Sequence, residues 1–293
     1  MSLGIKDRSA AYLAAAEEVR AIDAREAPES ERLQDITAVL KELALRTELF
    51  PLESFPRAEG TPGGLFRLAG FPDRRGAVYI SLGYVGRSQQ PHNHVAWAVV
   101  AGVSGGRETN VVYERVDGEA PGEATLVLKE RAPVGPGDAV VLPTGAYHTI
   151  DVDSGPSLHL HAYGWDVDAP GFTTYGFANP EATRFEGRPT GGFKPPLTVV
   201  SHADIDQDLQ AGDAVLVALQ REAPTGLSGP LLIVSGVDDV VARLEAENVP
   251  VKTPVILAGA PEVALEAALA LYASGRPLVF EYRADVATAQ IAA

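Results

Sequence analysis

The sequence predicts an all-β barrel that follows N-terminal helices and precedes a small α/β domain. Three observations predict this order. Strong helix formers dominate the first ~50 residues. Eight short β-rich runs follow between about Gly63 and Gly176, separated by glycine, proline and aspartate, which is typical of a sandwich or closed barrel. Strands then alternate with helices over about 198–288, and that alternation indicates a parallel sheet.

The N-terminal segment reads as a pair of packed helices. The run AAYLAAAEEVRAIDA contains mostly helix-favouring residues, and the next segment repeats apolar residues at the spacing of one helix face: Leu33, Ile36, Leu40 and Leu43. We expect these helices to pack and to carry no functional site.

The β-rich segment and the tail are joined by a stretch that is dense in glycine and proline, FEGRPTGGFKPP from Phe185 to Pro196. Such composition is typical of a linker between domains. The predicted units are therefore residues 1–184, a linker over 185–197, and an α/β domain over 198–293. We expect each unit to have its own core.

Composition restricts the partners and the site chemistry. Lys+Arg number 24 against 39 Asp+Glu, a net charge of −15, and no basic run interrupts this balance, so neither nucleic acid nor an anionic membrane is an expected partner. No apolar stretch is long enough to span a bilayer, and we expect a cytoplasmic protein. The chain has no cysteine. Any bound metal must be held by nitrogen and oxygen ligands.

Three histidines form the most informative pattern. His92 and His94 are two apart, so on a strand both imidazoles point to one face, and His148 follows in GDAVVLPTGAYH. A third histidine on a neighbouring strand would complete a metal site in the mouth of a barrel. Neutral imidazole suits iron, zinc, copper, nickel and manganese, so the ligand types leave the metal open.

These segments resemble a known family. PHNHVAWAVVAGVSGGRETNVVYERVDG is similar to the first motif of the cupin thiol dioxygenases, which include cysteine dioxygenase and 3-mercaptopropionate dioxygenase. GDAVVLPTGAYHTIDV resembles their second motif, and LHAYG resembles a late strand of the family. The resemblance covers roughly residues 30–180. It implies a cupin barrel (a double-stranded β-helix) and an Fe(II) cofactor bound by His92, His94 and His148.

The resemblance also implies residues around the metal. His161 and Tyr163 would form an outer-sphere pair near substrate and O₂. The family usually has a serine two residues before this histidine, where His159 stands here; a shifted alignment would give the serine and histidine roles to Ser157 and His159 and put His161 at the tyrosine position. We prefer His161 and Tyr163, because LHAYG keeps both the phenol and the following glycine. Many cupins add a glutamate ligand a few residues after the paired histidines. Here the first acid is Glu108, beyond the next turn, and we expect three neutral ligands with open positions.

An arginine that grips the substrate carboxylate is a further feature that the resemblance implies. Arg67 fits the family's spacing, about 25 residues before the histidine pair, and Arg87 is the competing candidate. A guanidinium suits this task because it can donate two parallel hydrogen bonds to a carboxylate.

The tail resembles a rhodanese domain in GDAVLVALQRE and in PVILAGAPEVALEAALALYASGRPLVFEY. The sulfur-carrying cysteine of that family would fall near Ala258 and Gly259, where none is present. We therefore expect a tail that is silent in sulfur transfer, and residues 1–190 that retain activity on their own.

The leading functional hypothesis is a non-haem iron thiol dioxygenase that converts a small thiol carboxylate to its sulfinate with O₂. Two alternatives use the same histidines: a cupin oxygenase that cleaves a β-diketone or a flavonol, and a non-catalytic cupin that binds a small molecule. The sequence does not choose between cysteine, 3-mercaptopropionate and a larger thiol. It is compatible with a homodimer.

Overall fold

The computed structural model shows the predicted order of helices, β-rich segment and α/β tail. It describes residues 3–57, 60–89, 91–117, 123–168, 184–186, 194–219, 224 and 226–284.

Two helices begin the chain, as predicted: α1 (Ile5–Asp23) and α2 (Glu29–Leu45). Their apolar faces are fully buried, because Ile36 and Leu40 of α2 pack into the same cluster as Tyr12 and Val19 of α1. Within the described residues, no helix combines the length and apolarity that crossing a bilayer requires.

Eight strands form the β-rich segment. They are β1 (Gly63–Ala69), β2 (Arg75–Gly83), β3 (His92–Asn93), β4 (Ala98–Arg115), β5 (Glu123–Val134), β6 (Ala139–Leu142), β7 (Tyr147–Trp165) and β8 (Arg184–Glu186). The main strand order is β1-β2-β7-β4-β5-β8, while β3 pairs with β7 and β6 pairs with β4.

The predicted division into short runs is wrong at two places. The runs VAWAVVAGV and TNVVYERV, predicted as two strands, lie largely in the single strand β4, and HTIDV and SLHLHAYG both lie in β7. Both strands bend where the register of their pairing shifts, between Gly102 and Glu108 of β4. Gly106 permits this bend, because a Cβ there would lie only 1.8 Å from the Ser154 carbonyl oxygen. Glycines that sequence analysis reads as turns are therefore bends within continuous strands.

The bends divide the sheet into two walls. The first half of β4 and the second half of β7 pair with β6 and β2, whereas the other halves pair with β5 and β3. A separate apolar cluster joins the walls, since it contains Tyr79, Val100 and Tyr163 of the first and Val134 of the second. Tyr163, one of the candidate functional residues, belongs to this interior cluster.

The tail is a five-stranded parallel sheet with three helices. Its elements are β9 (Val199–Val200), α3 (His202–Ala211), β10 (Val215–Ala218), β11 (Leu231–Ile233), α4 (Val237–Ala246), β12 (Val255–Ala258), α5 (Pro261–Ala273) and β13 (Val279–Tyr282). The order is β11-β10-β12-β13-β9, and all its pairs are parallel. The predicted α/β character of this segment is confirmed.

The tail has a core of its own, as expected, with Val217, Leu257 and Leu271 among its buried residues, but it also shares a second core with the segment before it. One buried apolar cluster contains residues of α1, α2 and the first strands together with Val200, Ile205, Leu216 and Phe280 of the tail. The side chain of Thr198 also donates a hydrogen bond to the carbonyl of Arg67 in β1 (3.2 Å). Residues 187–193, most of the predicted linker, lie outside the described residues.

Candidate metal centre

The strand pairing brings the three histidines together. His92 of β3 lies directly opposite His148 of β7 in the antiparallel register. His94 follows β3, and its carbonyl accepts a hydrogen bond from the backbone N–H of Gly145 (3.1 Å). Gly145 has a φ of +80° in the turn that leads into β7, a conformation that favours glycine. The PTGAYH segment therefore forms the turn and places its histidine, His148, opposite His92.

The geometry of this cluster fits a metal ion. One ring nitrogen from each of His92, His94 and His148 lies within 4.8 Å of the other two. The Nε2 atoms of His94 and His148 are 3.1 Å apart. Two nitrogens at right angles on one ion, each with a bond of about 2.1 Å, are separated by about 3 Å. The donor set thus matches a transition metal, and its identity as three imidazoles agrees with the sequence prediction.

Burial keeps the imidazoles of His94 and His148 neutral. All three histidine side chains are buried. Burial, aided by the neighbouring His92, lowers the pKa of His94 to about 3, and burial together with the other histidines lowers the pKa of His148 far below its usual value. Neutral imidazole is the form that binds a metal, so these two side chains are in their ligating state at neutral pH.

His161 and Tyr163 of β7 lie beside the cluster. His161 Nδ1 and the Tyr163 hydroxyl are 3.1 Å apart, and the Tyr163 ring lies 5.3 Å from that of His94. Burial raises the pKa of Tyr163, and Glu108 raises it further, so the phenol stays protonated. Among the described residues, Nε2 of buried His161 has no hydrogen-bond partner. This pair offers the interior one phenol and one imidazole nitrogen.

His159 and Ser157 occupy the same strand but have other partners. Nε2 of His159 donates to the carbonyl of Val134 (2.9 Å), and the Ser157 hydroxyl donates to the carbonyl of Gly83 (3.4 Å). The structure therefore ties both candidates of the shifted alignment to backbone carbonyls. The pair adjoining the metal ligands is His161 and Tyr163.

Arg87 reaches the interior from the loop after β2. Its Nη1 donates to the Ser81 hydroxyl (2.8 Å) and to the Leu82 carbonyl (2.9 Å). Burial is the largest cause that lowers the pKa of His161, followed by the neighbouring His159 and then by the charge of Arg87. The Arg87 charge also opposes the rise in the pKa of Tyr163. Arg87 is thus a cation close to the outer-sphere pair.

Arg67, the first candidate for the carboxylate grip, has a different environment. Its guanidinium pairs with Asp166 (2.6 Å) and Asp168 (3.0 Å), and it lies 4.7 Å from the ring of Tyr272 in the tail. The buried guanidinium of Arg67 is therefore already paired with two carboxylates of the chain itself. The family's spacing favoured Arg67 as the residue that binds the substrate carboxylate. In the structure, Arg67 lies where the barrel meets the tail.

Sequence analysis assigned no role in the site to two interior residues of β4: Glu108, which it excluded as a ligand, and Asn110, which it did not consider. Asn110 Oδ1 lies 3.1 Å from His148 Nδ1, and its amide nitrogen donates to Glu108 Oε1 (3.1 Å). Both side chains are completely buried. The signal available in the sequence was the segment ETN, because Glu108 and Asn110 are two residues apart and therefore share one face of a strand.

Comparison with known proteins assigns no family. No protein-family model and no curated protein matches the sequence. Among solved structures, the vicilin of Solanum melongena aligns at 20% identity and a TM-score of 0.32, covering 43% of this chain and 33% of the vicilin. The DMSP lyase DddQ of Ruegeria pomeroyi aligns at 16% identity and a TM-score of 0.29, covering 52% of this chain and 73% of the lyase.

The ribosomal oxygenase YcfD of Escherichia coli aligns at 21% identity and a TM-score of 0.26, covering 34% of this chain and 26% of the oxygenase. At these TM-scores the alignments assign neither a family nor an activity. The chemistry must be inferred from the site itself.

Exchange of Tyr163 for phenylalanine is expected to leave metal content unchanged and to slow turnover roughly 10- to 100-fold, because residues next to the ligands tune a metal site without holding the ion. His161→Ala should have a similar effect. The double variant should lose little more than either single one, since the two side chains form one hydrogen-bonded unit.

The check is a comparison of metal content and steady-state rate in the four proteins. Tyr84→Phe is the matched control, because the ring of Tyr84 packs against Arg57. Additive losses, or a larger loss in Ser157→Ala with His161 dispensable, would favour the shifted alignment.

Proposed function

We propose that this protein is a non-haem Fe(II) thiol dioxygenase of the cupin type, which converts a small mercapto-carboxylate to its sulfinate. The observation that carries the proposal is the combination of three side-chain groups: the three clustered histidines, the His161–Tyr163 pair and the cation of Arg87. The reaction balances without a further reductant, since RSH and O₂ give RSO₂H.

An Fe(II) ion held by His92, His94 and His148 would bring a thiolate and O₂ together and activate them. Burial of the three histidines limits the access of bulk water to the site. A three-histidine set adds no negative charge to the ion, which favours binding of an anionic thiolate.

Arg87 is the residue we assign to the substrate carboxylate. A guanidinium binds a carboxylate with charge-assisted hydrogen bonds, and the loop of Arg87 is held in place by the hydrogen bond of its N–H to the Tyr84 carbonyl (2.9 Å). A permanent cation beside the metal site also favours a mercapto-carboxylate over an apolar β-diketone or flavonol. Arg67 is not assigned, because Asp166 and Asp168 already neutralise it.

Tyr163 and His161 are the groups we assign to orientation of the substrates. Burial raises the pKa of the Tyr163 phenol, so it stays protonated at neutral pH and its O–H can donate a hydrogen bond. The Tyr163 hydroxyl lies 3.1 Å from Nδ1 of His161, which can hold its orientation. The pair can therefore direct one hydrogen bond from the phenol to a substrate.

The parallel α/β tail fits the rhodanese-like resemblance in its alternation of strands and helices. Because the chain has no cysteine, we propose that the tail has no persulfide chemistry and supports the barrel structurally.

An oxygen-electrode screen of the iron-loaded protein tests the function. Cysteine, 3-mercaptopropionate and larger mercapto-carboxylates are compared with cysteamine, which lacks a carboxylate, and with a β-diketone and a flavonol. We expect oxygen uptake with a mercapto-carboxylate and a product that has gained two oxygen atoms. Uptake with the diketone or flavonol and none with any thiol would overturn the proposal, and no turnover of any kind would favour a binding protein.

Substitution of Arg87 by glutamine is expected to raise KM for the best mercapto-carboxylate roughly 10- to 100-fold, because hydrogen bonds to charged groups contribute about 1.5–3 kcal/mol and 1.4 kcal/mol is about a factor of ten. Turnover of cysteamine should change little. Arg107→Gln, at an exposed position of β4, is the matched control. An unchanged KM in Arg87→Gln would remove this residue from the substrate site.

A further inference from the structure

A chain of buried polar groups connects a metal ligand to the only interior acid of the described part of β4. His148 Nδ1 contacts Asn110 Oδ1 at 3.1 Å, and Asn110 Nδ2 donates to Glu108 Oε1 at 3.1 Å. Exposure of the three side chains is 2%, 0% and 1%, respectively. Because these side chains are buried, each hydrogen bond defines the orientation of the next group.

The roles of donor and acceptor follow from Glu108. A carboxylate oxygen accepts hydrogen bonds, so the NH₂ group of Asn110 must face Glu108 and its carbonyl oxygen must face His148. That oxygen can only accept, so the proton of His148 must lie on Nδ1. The lone pair of neutral His148 is then on Nε2, the atom that lies 3.1 Å from His94 Nε2.

The second oxygen of Glu108 faces the opposite wall. It lies 3.9 Å from Nδ1 of His159, and Nε2 of that ring donates to the Val134 carbonyl. The carboxylate thus sits between a histidine of one wall and an asparagine of the other. Burial of a carboxylate and an amide in an apolar interior costs free energy, and apolar residues of similar volume would serve packing equally well. The arrangement is better explained by control of His148.

We propose that Asn110, oriented by Glu108, is a positioning residue that fixes His148 in the tautomer that presents Nε2 to the metal. This role rests on the metal-binding part of the proposed function. It adds two residues that the three-histidine pattern does not contain, and it explains why the site needs no fourth protein ligand from Glu108: the acid acts through the amide instead of on the ion.

Titration of the metal-free protein with Co(II), followed by visible absorption under anaerobic conditions, tests this role without relying on turnover. In Asn110→Leu, which keeps the size of the side chain but removes the acceptor, we expect the Kd for Co(II) to rise roughly 10- to 100-fold. Asn110→Asp keeps an acceptor for the Nδ1–H and should bind within a few-fold of the unchanged protein. Thr149→Val, next to His148 but on the other face of β7, is the matched control.

Glu108→Gln provides a second variant if Asn110→Leu does not fold. A glutamine can present either its oxygen or its NH₂ to Asn110, so the amide of Asn110 is no longer held one way and we expect a weaker affinity together with an altered Co(II) spectrum. Equal affinities in Asn110→Leu, Glu108→Gln and the unchanged protein would overturn the role of Asn110 while leaving the metal site intact. If the unchanged protein binds neither Co(II) nor Fe(II), the proposed function fails as well.

Discussion

Replacement of His148 by alanine is expected to abolish stoichiometric binding of Fe(II) or Co(II). The variant removes one of three nitrogens that lie within 4.8 Å of one another, and the remaining pair cannot surround an ion from one face. It also leaves Asn110 Oδ1 without its buried donor, which costs about 1–3 kcal/mol. That loss is smaller than the total stability of an ordinary domain, so the fold should persist.

Elemental analysis after anaerobic loading measures the metal, and far-UV circular dichroism reports whether the fold persists. His92→Ala and His94→Ala should behave in the same way. His202→Ala is the matched control, because His202 lies in α3 of the tail with 44% of its side chain exposed. Full metal content in all three ligand variants would contradict the site.

The sequence predicted the metal ligands because their geometry is local. Two histidines separated by one residue share a face of any strand, and the residues PTGAY predict the turn before His148. The same logic predicted the helices from their 3.6-residue period and the parallel sheet from its alternation. These features depend on a few neighbouring residues each.

Features that depend on long-range pairing were not predictable. Glu108 faces the interior only because the register of β4 shifts around its bend, and one residue of slip would turn it outward. The partners of Arg67 lie about a hundred residues further along the chain, at Asp166 and Asp168. Sequence spacing alone could not distinguish this buried ion pair from a binding site for the substrate carboxylate. Nor could it select between Arg67 and Arg87 for that site.

The core that the tail shares with the preceding segment could not be predicted from the glycine- and proline-rich stretch, for a related reason. Composition identifies where a chain can change direction, but it carries no information on whether the units on either side pack together. Here they do, through the shared apolar cluster and through the cation of Arg67 against the ring of Tyr272.

Removal of the tail is therefore expected to unfold the barrel domain, against the sequence-based expectation that residues 1–190 are active alone. Truncation exposes the faces of α1 and β1 that pack on the tail, where Phe280, Ile205 and Leu216 are now fully buried. Each large apolar side chain that loses its burial costs about 1.5–3 kcal/mol. Loss of several such contacts equals the roughly 5–15 kcal/mol that stabilise an ordinary domain.

Size-exclusion chromatography and thermal unfolding of residues 1–190, beside the full chain, measure this effect. We expect aggregation or loss of a cooperative transition, and no metal uptake. Tyr272→Ala in the full chain is a milder test, because it removes the ring over Arg67 yet keeps the sheet, and it should lower the unfolding temperature while metal binding persists. The opposite result, a soluble and cooperatively folded fragment that takes up one metal ion and consumes O₂ with a thiol, would show that the shared cluster is dispensable and that the barrel is an independent domain.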